Sequence, residues 1–171
     1  MLHVRSILKQ DLEIICSFPQ SKEELFYFFP KAVHPLTPEQ LQHAIGQRSD
    51  STVVVQDNTV VGFANFYRWT AGTCCIGNVI VAPVARGQGV AKFLIRAMIS
   101  LAEQKHFATV IQVSCFNQNT EGLLLYKALG FEPVDMEERK YIDGKRIVLI
   151  HMQYRTPKTQ LPRHTPPSSG E

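Results

Sequence analysis

The sequence predicts a mixed α/β (α+β) fold in a single domain. A chain of 171 residues that is 44% hydrophobic is long enough to bury one core but short for two domains. Residues 52–56 and 59–69 are rich in β-branched and aromatic residues, which predicts two antiparallel strands. Residues 89–105 repeat apolar side chains at helical spacing, which predicts a long helix packed on the sheet.

The first part of the chain predicts an edge strand followed by short helices. The strand is expected at residues 4–7, and helices with one apolar face at residues 10–16 and 21–29. Thr37 and Gln40 resemble an N-cap and its return partner, so a further helix is expected at residues 38–46.

The rest of the chain predicts further strands and one more helix. Asp57 and Asn58 tolerate the left-handed conformation of a tight hairpin and join the first two central strands. Residues 74–81 predict a third strand, apolar near its end, as expected when both faces are covered. The remaining elements are a strand at residues 109–114, a helix at residues 120–129 capped by Gly130, and a hairpin of residues 140–142 and 145–154 turned by Asp143 and Gly144.

Residues 1–155 form the predicted domain. Residues 156–171 contain four prolines and almost no apolar side chains, so a flexible C-terminal tail is predicted there.

The charge distribution argues against nucleic acid as a partner. Of the formal net charge of +3, the C-terminal segment contributes +2, from Arg155, Lys158 and Arg163 against Glu171. The remaining +1 is too small for phosphate-backbone binding, which needs clustered cations. The N-terminus lacks the pattern of a secretory signal and no apolar run reaches membrane-spanning length, so a cytoplasmic protein without a membrane partner is expected.

The cysteines indicate neither a metal site nor a disulfide framework. Cys16, Cys74, Cys75 and Cys115 show no C-x-x-C spacing and no nearby histidine pair. They are expected to be small buried apolar residues, and no metal is predicted.

A glycine-bearing turn lies between the third strand and the long helix. Residues 84–91 read Val-Ala-Arg-Gly-Gln-Gly-Val-Ala. A helix N-terminus leaves backbone N–H groups unpaired and carries about half a positive charge, and glycine permits close approach of a ligand. The context predicts a pyrophosphate site, although a simple tight turn into a helix would show the same glycines.

Two other nucleotide-binding motifs do not fit this turn. A dinucleotide fingerprint needs Gly or Ala where the chain has Lys92, and an acidic residue at the end of the next strand, where it has Ser114 and Cys115. A P-loop needs Gly-Lys-Ser or Gly-Lys-Thr, and neither tripeptide occurs.

The turn resembles the Arg/Gln-x-x-Gly-x-Gly/Ala signature of the GNAT superfamily of acyl-CoA N-acyltransferases, at Arg86, Gly89 and Ala91. Downstream, Asn119 lies seven residues before Tyr126, and Leu-Gly-Phe follows, which resembles the second motif of that family. The resemblance spans residues 52–154. It implies a GNAT-like domain with a bent, mixed, mostly antiparallel sheet flanked by helices.

The resemblance also implies acetyl-CoA as cosubstrate and an amine as acceptor. In the family the fourth and fifth strands part at one end and the pantetheine arm lies between them; here these strands would be residues 74–81 and 109–114. Main-chain groups of the fourth strand would pair with the pantetheine, those of the turn would hold the pyrophosphate, and an Asn would contact the cofactor. The implied cofactor-binding residues are Val79, Ile80, Val81, Arg86, Gly87, Gln88, Gly89, Val90, Ala91 and Asn119.

Tyr126 is the implied catalytic residue. A tyrosine in an apolar helix is usually core with its hydroxyl at the rim, but the matching tyrosine of the family protonates the departing thiolate. The implied reaction is direct attack by a neutral amine, with the oxyanion stabilised by a backbone N–H of the fourth strand and no covalent enzyme intermediate. Cys115 ends a strand nearby, but no histidine or helix terminus is available to make it a nucleophilic thiolate.

The general base and the acceptor stay open. The fourth strand offers only Asn78, which cannot accept a proton, so a water chain, Glu24 or His34 is considered, and His34 fits a surface loop equally well. The acceptor wall is expected to include some of the four aromatic residues at positions 26–29. A small amine, an amino acid, an antibiotic and a protein amine all remain acceptor candidates.

Two alternatives to the enzyme remain. One is a non-catalytic acyl-CoA-binding or regulatory module on the same fold, because the fourth strand lacks a carboxylate; the other is a nucleotide-binding protein. A monomer or a homodimer is expected.

Overall fold

The computed structural model describes residues 1–157, which form one sheet and five helices. The strands are β1 (Leu2–Ser6), β2 (Ser49–Gln56), β3 (Thr59–Thr70), β4 (Thr73–Val81), β5 (Val110–Phe116), β6 (Glu132–Lys140) and β7 (Arg146–Arg155). The helices are α1 (Leu12–Cys16), α2 (Lys22–Phe28), α3 (Pro38–Gly46), α4 (Val90–His106) and α5 (Thr120–Ala128). The predicted mixed α/β fold is confirmed.

The strand order of the sheet is β1-β2-β3-β4-β5-β7-β6. Every neighbouring pair is antiparallel except β4 and β5, which are parallel because α4 crosses between them. The sheet is therefore mixed and mostly antiparallel, with one parallel pair at its centre.

Successive side chains of β3 identify the two faces of this sheet. A Cβ added at Gly62 would lie 3.3 Å from Val90 at the start of α4, whereas Phe63 stacks edge-on with Phe28 of α2 at 6.3 Å. Neighbouring residues of a strand point to opposite faces, so α2 and α4 cover opposite faces. Helix α5 lies on the α4 face, since Gly122 approaches Cys115, which shares that face of β5.

Local sequence signals place several elements as predicted. Asp57 and Asn58 have φ of 48° and 65°, the left-handed conformation expected of the β2–β3 hairpin. The Thr37 side chain accepts a hydrogen bond from the Gln40 N–H and caps α3. Gln40 is not the return partner, however, because its own amide bonds the main chain of Val33 and Pro35 and fastens the preceding loop.

The end of the chain corrects two expectations. The first strand of the last hairpin is β6, which ends at Lys140, where the predicted strand of residues 140–142 begins. Thr156, placed in the tail by composition, is 2% exposed and its N–H donates to the Thr109 carbonyl at 3.1 Å. Packing therefore extends through Thr156, and the rest of the predicted tail, beyond Pro157, lies outside the described residues.

The main core lies between the sheet and its helices. Its largest fully buried side chains include Phe63, Phe66, Phe131, Leu94 and Met98. Three of the four cysteines are buried as expected, while Cys16 is half-buried. None of the helices in the described part of the chain has both the length and the apolar character needed to cross a bilayer.

Candidate active site

Strands β4 and β5 pair over only four residues and then part. The parallel ladder runs from Thr73 opposite Val110 to Ile76 opposite Val113. Beyond Ile76, β4 continues to Val81 and stays bonded to β3, so its other edge faces an open gap. The predicted separation of the fourth and fifth strands is therefore present.

Asn78 marks the point where β4 bends away. It has φ of 50° although it is not glycine, and the β3–β4 register shifts at this point, as in a β-bulge. Its buried amide donates to the Phe28 carbonyl at 3.0 Å and accepts from Asn65 at 3.1 Å. Both bonds support a backbone conformation that costs free energy by itself, and they tie the bend to α2.

The gap opens into a cleft of about 740 Å³ that reaches both faces of the sheet. On the α4 face it is lined by the turn before α4 and by α5, including Tyr126. On the α2 face it is lined by Tyr27, Ser114 and Phe116. A ligand lying between β4 and β5 would therefore be accessible from either side.

The glycine-bearing turn, residues 86–91, forms one end of the cleft. Gly87 and Gly89 have φ of 72° and 80°, and a Cβ at either would meet no atom within 4 Å. The first intrahelical bond of α4 is from the Phe93 N–H to the Gly89 carbonyl, so the N–H groups of residues 90–92 have no backbone acceptor in the described residues. These donors and the positive end of a helix of 17 residues suit a pyrophosphate.

Arg86 holds this turn through its side chain. The guanidinium donates to both carboxylate oxygens of Glu24, at 2.7 and 3.1 Å, and to the carbonyls of Phe18 and Val81. The side chain therefore joins α2, β4 and the turn. The Arg86 N–H also donates within the protein, to the Pro83 carbonyl at 3.4 Å, so the free donors for a phosphate lie further along the turn.

Tyr126 is buried in α5 with 7% exposure and packs against Phe131 at 5.8 Å. It combines the two interpretations made from sequence, because its ring is core while the residue also lines the cleft. Its hydroxyl has no hydrogen-bond partner among the described residues and is not one of their fully enclosed unpaired atoms. Burial, aided by the Cys115 thiol, raises the pKa of Tyr126 and keeps the phenol protonated.

The other predicted cofactor-binding residues also line the cleft. Val79, Ile80 and Val81 form the unpaired edge of β4, although the Val81 carbonyl already accepts from Arg86 Nε at 3.2 Å. Asn119 caps α5 by accepting from the Gly122 N–H at 3.1 Å, which leaves its amide N–H₂ for a ligand. Of the turn, Gln88 alone is not in the lining, and its side chain donates to the Val84 carbonyl.

The residues considered as base or nucleophile differ in their position and in their pKa. His34 lines a different, smaller depression and does not reach the cleft. Glu24 lines the cleft, but its hydrogen bonds from Arg86 lower the pKa of its carboxyl, which makes it a weak proton acceptor. Burial raises the pKa of Cys115 to about 12, so this thiol is not a nucleophile at neutral pH.

One polar residue of the cleft was not predicted from the sequence. Ser114 on β5 lines the α2 face and lies 2.7 Å from a ring nitrogen of His151 on β7. The two residues are 37 positions apart and become neighbours only through the β5–β7 register, for which the sequence offers no local signal.

The cleft between parting parallel strands, with a glycine turn at a helix N-terminus beside it, has the arrangement that the sequence resemblance implies. The model of the acetyltransferase (GNAT) family matches residues 16–131, more than half of the chain. The chain therefore belongs to the GNAT acetyltransferase family.

Solved structures show the same fold. The ribosomal-protein-S18-alanine N-acetyltransferase from Escherichia coli has a TM-score of 0.71 at 19% identity, over 91% of this chain and 94% of that one. The spermidine N-acetyltransferase from Vibrio cholerae, in complex with CoA and spermine, has a TM-score of 0.75 at 18% identity, over 90% and 95%. The protein yncA from Salmonella typhimurium, with its cofactor acetyl-CoA, has a TM-score of 0.68 at 18% identity, over 99% of both chains. A search of the curated proteins found no significant match.

Proposed function

We propose that this acetyltransferase moves the acetyl group of acetyl-CoA directly to an amine within a ternary complex. Membership of the GNAT family and the CoA and acetyl-CoA of two neighbouring structures support the cosubstrate. The cleft fits it, because free N–H donors at one end suit phosphate and an unpaired strand edge suits the amide groups of pantetheine.

In this assignment the main chain of residues 86–91 holds the pyrophosphate. Val79, Ile80 and Val81 receive the pantetheine arm along the open edge of β4, and Asn119 donates its side-chain amide from the start of α5. The thioester supplies an activated acyl carbon, which these contacts place in the gap.

Tyr126 then acts as general acid. A neutral amine entering from the α2 face attacks the acyl carbon, and a backbone N–H of β4 stabilises the oxyanion. Tyr126, on the opposite face, donates its proton to the departing thiolate. A phenol and a thiol have similar ordinary pKa values, and burial raises the pKa of Tyr126, so the residue keeps its proton until the thiolate departs.

The observation that carries the proposal is that Tyr126, whose hydroxyl has no partner among the described residues, lines the same cleft as the glycine-bearing turn. The test measures thiol release from acetyl-CoA with spermidine, an alanine-terminated peptide and a free amino acid, beside calorimetry for CoA binding. Release that depends on one of these amines supports the proposal. Tight CoA binding without turnover on any amine would favour a non-catalytic acyl-CoA-binding module.

A further inference from the structure

Four polar side chains form a connected row on the α2 face of the sheet. The Tyr67 hydroxyl lies 3.3 Å from Ser114 Oγ, and Ser114 Oγ lies 2.7 Å from His151 Nδ1. On the far side of the imidazole, His151 Nε2 lies 3.7 Å from a carboxylate oxygen of Glu137. Of the four, only Ser114 lines the cleft.

The hydrogen bonds leave Ser114 with one free acceptor position. Burial raises the pKa of Tyr67, so this phenol keeps its proton, and it is the donor to Ser114 Oγ whenever the serine hydrogen is directed to another acceptor. Ser114 in turn donates its own hydrogen to His151 Nδ1 when the imidazole is neutral. A hydroxyl oxygen has two lone pairs, so the second is available to a group in the cleft.

The close approach of Tyr67 depends on Gly77, which follows the last residue of the β4–β5 ladder. A Cβ at Gly77 would lie 2.8 Å from the Tyr67 ring and 2.7 Å from the Arg48 guanidinium, distances that side chains do not adopt. The bare backbone at the start of the gap therefore lets Tyr67 cross over β4 and reach Ser114 on β5.

Ser114 and Tyr126 lie on opposite sides of the gap. Ser114 shares its face of β5 with Phe116, which stacks on Phe26 of α2 at 4.6 Å, whereas Tyr126 belongs to α5 on the α4 face. Attack on an acyl carbon and departure of its leaving group take place on different sides of that carbon. A proton acceptor at Ser114 and a proton donor at Tyr126 match this requirement.

We propose that Ser114 is the group that accepts the proton of the attacking amine and that His151 receives the proton of Ser114 in the same step. The inference rests on the proposed function. As the carbon–nitrogen bond forms, the amine proton moves to Ser114 Oγ and the serine proton moves to His151 Nδ1. The carbon–sulfur bond then breaks, sulfur keeps the electron pair, and Tyr126 protonates it. The amide and free CoA are the products, and solvent later removes the proton from the imidazolium and restores that of Tyr126.

The surroundings of His151 suit a transient positive charge. Glu137 faces it from β6 at ion-pair distance, and Asp135 is its register partner on the same strand. Tyr67 is the titratable group on the other side of Ser114, and Arg139 of β6 is paired with Glu137. Ser114 can therefore accept a proton because it passes its own to His151, a role that the Asn78 amide cannot perform.

The test compares Ser114→Ala, His151→Gln and the double variant with the parent on the amine that the panel identifies. Each single variant is expected to lower kcat by about a hundredfold with unchanged CoA affinity, and the double variant to be no worse, because both residues serve one proton transfer. In the parent, two protonations, of the amine and of His151, are expected to lower kcat/KM as pH falls. In His151→Gln only the protonation of the amine should remain. Gln153→Ala is the matched control, since Gln153 lies two residues along β7 on the same face and bonds Gln112 away from the cleft.

Turnover of Ser114→Ala within about threefold of the parent would overturn the proposal. The proposal would also be overturned if the losses of kcat were additive in the double variant, or if the fall of kcat/KM at acidic pH were the same in His151→Gln as in the parent. Ser114→Ala removes a single hydroxyl, so its result stands even when the histidine variant folds poorly. A parent that binds CoA but transfers acetyl to no amine would instead remove the proposed function, and this inference with it.

Discussion

The carboxylate of Glu24 and the guanidinium of Arg86 meet in a two-point ion pair, 62 residues apart in sequence, at 2.7 and 3.1 Å. The pair fastens α2 to the turn that precedes α4. The side chain of Arg86 therefore holds the turn in place through contacts within the protein, and the main chain of the following residues faces the cleft. The same pair occupies both oxygens of the carboxylate that would otherwise be available as a base.

Glu24→Gln is expected to remain active, with only a modest loss of kcat. The charge of Glu24 is held by Arg86, so removing it leaves proton transfer intact, and kcat should fall less than about tenfold. The KM for acetyl-CoA should rise, because the turn loses its anchor. Steady-state kinetics with each substrate varied in turn separate the two effects, and a loss of kcat by a hundredfold or more would restore Glu24 as a base.

Gly89→Val is expected to lower CoA affinity by more than about tenfold. The φ of 80° strains any branched residue by about 1 to 3 kcal/mol, and the new side chain would project into open space where the phosphate is assigned. Gly144→Val is the matched control, since Gly144 has φ of 79° and equally open surroundings in the β6–β7 turn. Both variants should lose similar stability by thermal denaturation, and only the first should lose affinity by calorimetry. Equal CoA affinities of the two variants would show that the turn does not bind the cofactor.

Tyr126→Phe is expected to lower kcat by about a hundredfold with little change in CoA affinity, because one proton donor is lost and the ring is kept. Tyr154→Phe serves as control, since Tyr154 packs on the same Phe131 but does not line the cleft. Single-turnover measurements isolate the chemical step. Full single-turnover activity in Tyr126→Phe would exclude the role of general acid.

Asn78→Ala is expected to lower the free energy of unfolding by about 2 to 4 kcal/mol. Alanine leaves the Phe28 carbonyl and the Asn65 amide without partners and keeps the strained φ of 50°. Asn78→Gly relieves the strain but not the lost hydrogen bonds, so it should be more stable than Asn78→Ala. Urea denaturation of both variants measures the difference, and equal losses would show that backbone strain is negligible at this bulge.

Asp11 is expected to make stability depend on pH in the acid range. Arg5 donates to both oxygens of this buried carboxylate, at 2.7 and 3.0 Å, and lowers the pKa of Asp11. A group with a lowered folded pKa contributes fully above its unfolded pKa, about 3.9, and the contribution disappears as pH falls through the folded pKa. Asp11→Asn should therefore be less stable at neutral pH and show a flatter decline below about pH 4. A parallel pH profile in the variant would contradict this role.

Features set by neighbouring residues were predictable from sequence. The hairpin at Asp57 and Asn58, the cap at Thr37 and the turn at Gly89 each depend on the conformational preferences of a few adjacent residues. The long helix also follows from its own apolar spacing. These local signals were enough to predict the fold class, whereas the position of the cleft followed from the resemblance of two motifs to those of the GNAT family.

Features set by distant contacts were not predictable in the same way. Strand β6 is exposed at nearly every position, including Val134 and Met136, so burial of an apolar face does not define it, and it forms because β7 offers a free edge. The partner of Arg86 and the proximity of Ser114 to His151 likewise depend on packing between separate parts of the chain. The general base could not be inferred from β4 alone for this reason.

The gap between β4 and β5 has walls made of hydrogen-bonded sheet and not of loops. Asn78 fixes the bend of one wall, and the β5–β7 ladder fixes the other over its whole length. A ligand that enters such a preorganised slot immobilises few side chains and orders no segment, so little conformational entropy is lost on binding. Affinity for the thioester then reflects the contacts themselves, and the binding enthalpy should vary little with changes in the loops around the cleft.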